Sequence, residues 1–320
     1  VSLLATWTRG VRLVRRAPAL IAILWAASLA ITIPPALFLH AEVRAHLGAS
    51  LAANTVASGV NFDWLQEFRE QATPLGRTLR PDVIGFGAVM ENASALADAS
   101  PRPVVLLLSG VAFVLMLWCL TAGIIHRLAI DRPLHARGFL GICGGFGVRM
   151  LRLNLVSALA YSVLFGAFHA WLFDEVFDEV TRDMTVERTA FVVRVVCYLV
   201  FLALAGGVNL LTDLAKVRLV VEDRHSVIAA LAASARFIRR HASLAAGLYA
   251  ANLFVLLLVI ALYALVAPGA GSAGWNMWGG FIVGQVYIAA RLAVKLSFWG
   301  SGVAALQSRL AYPGFARAVR

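Results

Sequence analysis

The chain has 320 residues, 61% of them hydrophobic and only 14% charged, with a mean hydropathy of +0.81. A soluble domain carries roughly 45–50% apolar and about 25% charged residues, so this composition excludes a soluble globular protein and a disordered one. It indicates a multi-span membrane protein instead. The net charge of +11 comes from 28 Lys+Arg against 17 Asp+Glu, but the basic residues flank apolar runs and form no solvent-facing patch, which argues against a nucleic-acid partner.

In chain order, an amphipathic helix comes first. Leu4, Trp7, Val11 and Val14 share one helical face, and Arg9, Arg12 and Arg16 lie opposite. A helix of this kind lies in the headgroup plane. The apolar run 17–39 follows. It is too long for a cleaved signal core, and Pro34 and Pro35 are expected to kink or end it. Segment 41–101 is long enough for an external helical cap. Asp63–Phe68 reads as one short helix, and Pro81, Asp82, Val83, Phe86, Val89 and Met90 as another, with proline at its first position. His40 and His46 fall on different helical faces and are read as solvated loop residues.

Five more apolar runs cover 103–125, 151–173, 190–211, 243–267 and 278–299. Crossing ~30 Å of hydrocarbon takes about 20 helical residues, and none of the six runs alternates as a strand does. The expected fold is an all-α integral membrane protein with six transmembrane helices. His169 is read as an interface histidine with a hydrogen-bonded partner in preference to a proton relay. Arg194 is expected to reach the acidic segment 174–189, and 268–277 reads as a short turn. Gly280 and Gly284 form a GxxxG pattern that permits close helix packing.

The charges between the runs set an orientation. Segments 41–101 and 174–189 hold 13 of the 17 acidic residues and 6 basic ones. Segments 1–16, 126–152, 212–242 and 300–320 hold most of the arginines, among them Arg317 and Arg320, and only Asp131, Asp213, Glu222 and Asp223 as acids. Both termini are therefore expected on the cytoplasmic side of an inner membrane.

Residues 121–149 align without gaps on 212–240. Matches include Thr121/Thr212, Arg127/Arg218, Leu128/Leu219, Asp131/Glu222, Leu140/Leu231, Phe146/Phe237 and Arg149/Arg240. Each segment is read as leaving a span, forming a short helix and ending in arginine. Arg15-Arg16-Ala17-Pro18 parallels Arg239-Arg240-His241-Ala242. Three units are thus expected, each an interfacial helix, a span, an external loop and a return span.

No metal-ligand spacing, Walker A motif or dinucleotide fingerprint is present, so no cofactor is expected. Gly300-Ser301-Gly302 has Trp299, not glycine, two before the serine, and no histidine follows, which argues against a serine hydrolase. The three cysteines, Cys119, Cys143 and Cys197, exclude a disulfide framework and are read as packing residues. The informative residues are polar ones within or at the ends of spans. Arg291 and Lys295 share a face of the sixth span. Asn209, Asp213 and Lys216 lie at the same end of the fourth, where Asp213 can pair with Lys295 or Arg291. One reading is a helix-tying ion pair with snorkelling cations. The sharper reading is a site for an anionic lipid headgroup or a transported anion.

Thr212-Asp213, Arg218-Leu219-Val220-Val221-Glu222 and Phe237-Ile238-Arg239-Arg240-His241 carry a resemblance over residues 120–240. In these motifs and in overall topology the chain resembles a group of bacterial six-helix membrane proteins, including the membrane domain attached to some glycerophosphodiester phosphodiesterases. The soluble phosphodiesterase domain has no counterpart in this sequence, so the resemblance implies no hydrolase activity and no catalytic residue. The expected function is that of a non-enzymatic envelope scaffold, accessory subunit or lipid-contacting protein. Its expected partners are anionic lipids and a membrane protein. The alternative is a transporter with a polar pathway between the fourth and sixth spans, and a membrane-embedded lipid enzyme ranks last.

Overall fold

The computed structural model describes residues 2–48, 50–80, 85–269 and 275–309. Its helices are α1 (Leu3–Arg15), α2 (Pro18–Leu47), α3 (Ala53–Ser58), α4 (Phe62–Gln71), α5 (Phe86–Ala97), α6 (Val104–Ile130), α7 (Ala136–Val163), α8 (Phe177–Thr181), α9 (Glu187–Val221), α10 (Val227–Arg240), α11 (Ala242–Val266) and α12 (Trp275–Arg309). Two π-helical stretches, Leu164–Phe168 and Trp171–Val176, join α7 to α8 in one run of 46 residues. No strand occurs among the described residues. Six helices are long and apolar enough to cross a membrane: α2, α6, the α7–α8 run, α9, α11 and α12. The protein is an all-α, multi-pass membrane protein.

Five of the six spans outrun the apolar run read from the sequence, and α11 matches its own in length. At about 1.5 Å per residue, α9 and α12 are each about 50 Å long. The α2 helix continues through Pro34 and Pro35 to Leu47, so the prolines do not end it. Helix-forming residues after the prolines rebuild the helix, and contacts beyond them hold it. Thr73 donates to the Glu42 carboxylate from its N–H (2.6 Å) and hydroxyl (2.9 Å), and Trp64 Nε1 donates to His46 Nδ1 (3.0 Å). His40 and His46 are thus helical, and His46 packs among Trp64 and Phe68. The helix expected at Asp63–Phe68 is α4. The second expected cap helix is present as α5 from Phe86 onward, while Pro81, Asp82 and Val83 lie outside the described residues, as do Arg317 and Arg320.

The expected loop 174–189 is helical as far as Thr181. Arg194 reaches it, but over the Phe177 ring, 4.7 Å from the centroid. His169 Nε2 bonds the Ala97 carbonyl at 3.0 Å, and Tyr198 donates to Asp98, so α5 is tied to the spans. The expected turn 268–277 already enters α12 at Trp275. Gly280 faces Pro268 and Gly284 faces open space, so among the described residues the GxxxG pattern packs no second span.

Several features recur along the chain in one register. α1, α7 and α10 begin just after Ser2, His135 and Ser226, positions related by the sequence alignment. α1 and α10 end in nearly identical breaks, at Ala17 (φ −128°, ψ 54°) and His241 (φ −132°, ψ 43°), before α2 and α11 begin. The expected short helix at 136–149 is not separate: α7 passes through Met150, the register mate of these breaks. There the fully buried Met150 continues the helix into the bundle core. Leu20, Leu153 and Leu244 are buried at one shared register, as are Leu24, Ser157 and Leu248. The start of α7 packs on α6, α10 packs on α9, and α1 packs on α12. The α1–α12 crossing is the tightest of these. A Cβ on Gly10 would lie 2.5 Å from Ser301 N, and one on Gly300 would lie 2.7 Å from Gly10 O. Arg16 pairs with Asp131 and Arg149 with Asp223, both at 2.6 Å, linking the basic segments to one another.

Candidate functional site

Asp213 lies two turns before the end of α9, where the helix leaves its apolar run. Its side chain is buried, with Oδ1 3.0 Å from Lys216 Nζ and Oδ2 3.4 Å from Lys295 Nζ. Lys216 is on the same face of α9, one turn on. Lys295 comes from α12, about 30 Å along that helix from Trp275, toward the end of the bundle where the basic segments lie. The Lys295 ammonium lies 5.0 Å above the Trp299 ring. The Trp299 indole N–H faces the Asp213 carboxylate without a hydrogen bond of good geometry. One carboxylate between two ammonium groups leaves a net charge of +1.

The structure brings together three of the five residues singled out in the sequence. Asn209 is nearby but turned to α11, where its Nδ2 donates to Tyr249 Oη (3.2 Å). Arg291 does not join the triad. Its guanidinium lies 5.6 Å from the centroid of Tyr287, one turn back on its own helix, and the residue is exposed. Lys295 lies one turn further on than Arg291 and reaches Asp213. Arg291→Leu is therefore expected to leave the melting temperature of the detergent-extracted protein unchanged. A fall matching that of Lys295→Met would place Arg291 in the network.

A second polar network lies beside the triad. Trp7 Nε1 donates to Asn252 Oδ1 (3.3 Å), and Asn252 Nδ2 donates to the Leu248 carbonyl (2.8 Å) and Ser301 Oγ (3.0 Å). It ties α1, α11 and α12 together. Between the two networks is a cavity of ≈ 30 Å³ bordered by Asp213, Tyr249, Asn252 and Ser301. That is room for one or two waters. Asn252 is not among the residues singled out in the sequence, because it stands alone in its run with no charged neighbour on α11. The signal was present, an amide within an otherwise apolar run, which is costly in lipid unless satisfied. Ser301 was weighed only as a nucleophile; its hydroxyl in fact donates to the Phe298 carbonyl (3.0 Å) and accepts from Asn252.

No protein-family model, curated protein or solved structure matches the chain.

Proposed function

We propose that the protein is a non-enzymatic scaffold of a bacterial inner membrane, built of three related units, whose basic end faces the cytoplasm and holds anionic lipid headgroups. The observation that carries this reading is the division of its polar groups. Between α1, α9, α11 and α12, buried polar groups pair with one another in the Asp213–Lys216–Lys295 triad and the Trp7–Asn252–Ser301 chain. Outside the bundle, arginines gather on amphipathic helices at one boundary, where a cytoplasmic leaflet presents anionic lipid. The resemblance of 120–240 to bacterial six-helix membrane domains favours the same setting. Native mass spectrometry of protein extracted from vesicles of equal phosphatidylglycerol and phosphatidylcholine tests it. Preferential retention of phosphatidylglycerol is expected, and equal retention of the two lipids counts against the reading. For the orientation, protease added to intact spheroplasts should cut the 41–101 cap and spare α10; the reverse pattern would invert the topology.

The alternative is a transporter. It draws on the water-sized cavity between α9, α11 and α12, with Asp213 on one wall and Asn252 on the other. Flux in proteoliposomes that disappears with Asn252→Ala would favour it over the scaffold.

A further inference from the structure

A pocket of ≈ 460 Å³ opens at the basic end, where the break between α1 and α2 meets the end of α6 and the start of α7. One wall is apolar and includes Leu20, Ile23, Leu120 and Leu140. Ile23 and Leu140 are exposed, so this wall opens toward lipid. Arg16 and Arg127 form the polar end.

Arg127 is only 9% exposed. Its Nη2 donates to the Arg16 carbonyl at 3.1 Å, and its Nη1 is buried without a partner. Among the described residues no carboxylate pairs with it. Its register mate on α9, Arg218, is instead matched by Glu222. Arg16 is already held by Asp131 at 2.6 Å, so the uncompensated cation at this pocket is Arg127. An unmatched buried guanidinium is costly unless an anion meets it.

Two helix starts converge on the same place. Pro18 of α2 and Ala136 of α7 both line the pocket, and neither start is capped by a side chain. The register mates of the α7 start are capped: Ser2 Oγ accepts from Ala5 N–H in α1, and Ser226 Oγ accepts from Ala229 N–H in α10, each at 3.2 Å. His135 stands in that position before α7 and caps nothing. Uncapped first-turn N–H groups and the helix dipole both favour an anion.

We propose that this pocket binds one anionic glycerophospholipid, its phosphate between Arg127 and the first turn of α7 and one acyl chain along Leu20, Ile23 and Leu120. Free phosphate would use the same donors and leave the apolar wall bare. The assignment rests on the lipid-contacting reading above and names where that contact is made.

The test uses the full chain reconstituted in vesicles of equal phosphatidylglycerol and phosphatidylcholine, extracted in mild detergent and weighed by native mass spectrometry. One phosphatidylglycerol per chain is expected to stay bound. Arg127→Gln should reduce that retention at least about tenfold, the value of a charge-assisted hydrogen bond. Arg127 also supports the Arg16 carbonyl, so Ala136→Glu is the decisive variant. An acid in the exposed first turn suits the helix but occupies the anion's place, and it should match Arg127→Gln in lipid loss while melting no lower than the parent. Undiminished retention in Ala136→Glu overturns the site while leaving the lipid-contacting reading in place. No preference for phosphatidylglycerol in the parent protein overturns both. Displacement of the lipid by millimolar inorganic phosphate overturns the lipid in favour of a free anion.

Discussion

Asp213→Leu is expected to destabilise the protein by about 3 kcal/mol, the cost of stranding a buried charge. The Asp213 side chain is 9% exposed and that of Lys216 13%, so removing the carboxylate leaves the Lys216 ammonium in place with nothing to neutralise it. Lys295, at 34%, has a route to the boundary and contributes less to the loss. Asp213→Asn keeps the shape and one acceptor oxygen but not the charge, and should fall between the parent and the leucine variant. The apolar triple variant Asp213→Leu, Lys216→Met, Lys295→Met should regain most of the loss, because a buried ion cluster replaced as a whole is often neutral. Thermal unfolding of the extracted protein, followed by tryptophan fluorescence, reads all of these. If Asp213→Leu melts with Arg291→Leu, the triad plays no part in holding α9 to α12.

Gly10→Leu should detach α1 from the bundle. A single Cβ at Gly10 would already stand 2.5 Å from Ser301 N and 2.6 Å from Ser301 Cα, both backbone atoms that cannot swing aside. Overpacking of this kind costs about 1–3 kcal/mol. A leucine also forces apart the neighbouring contacts of Leu13 and Val14, which belong to the main core. The Trp7–Asn252 hydrogen bond would break with them. Limited trypsin digestion reports the outcome, since Arg9, Arg12 and Arg15 become cleavable once α1 lifts away. Gly300→Ala, which pushes on the same crossing from the other side, should produce the same fragment in smaller yield. An uncut α1 in Gly10→Leu would mean that the crossing is not held by close backbone approach.

Hydropathy made the number and order of the spans legible, because about 20 apolar residues have few uses other than crossing a bilayer. It understated their length. Apolarity stops at the hydrocarbon boundary, whereas a helix stops where its backbone does, and α9 runs past Asp213 for two more turns. Pro34 and Pro35 show the complementary limit. A proline removes a local hydrogen bond, but Glu42 and His46 hold the continuation of α2 through partners about 20 to 30 residues away that no local pattern announces. Within the site, Asp213 and Lys295 were legible as a pair because opposite charges at one depth seek each other. Of the two cations offered to Asp213, Lys295 meets it and Arg291 does not, because sharing a face with Lys295 does not make Arg291 reach as far. The closest helix crossing escaped the sequence because its glycines, Gly10 and Gly300, stand far apart in the chain and form no motif, whereas the recognisable GxxxG meets no second span among the described residues.

The contact of α1 with α12 also dictates an order of assembly. The α6–α7 and α9–α10 pairs are neighbours in sequence and are complete as soon as they are made. α1 must wait for a partner about 290 residues downstream. Until then most of its apolar face has only the lipid surface to rest on, which its basic opposite face makes tolerable. Closure of the bundle around α1 therefore depends on α12 having been inserted. A product truncated before α12 would carry one exposed amphipathic face, a mark by which a membrane protease tells unfinished copies from finished ones.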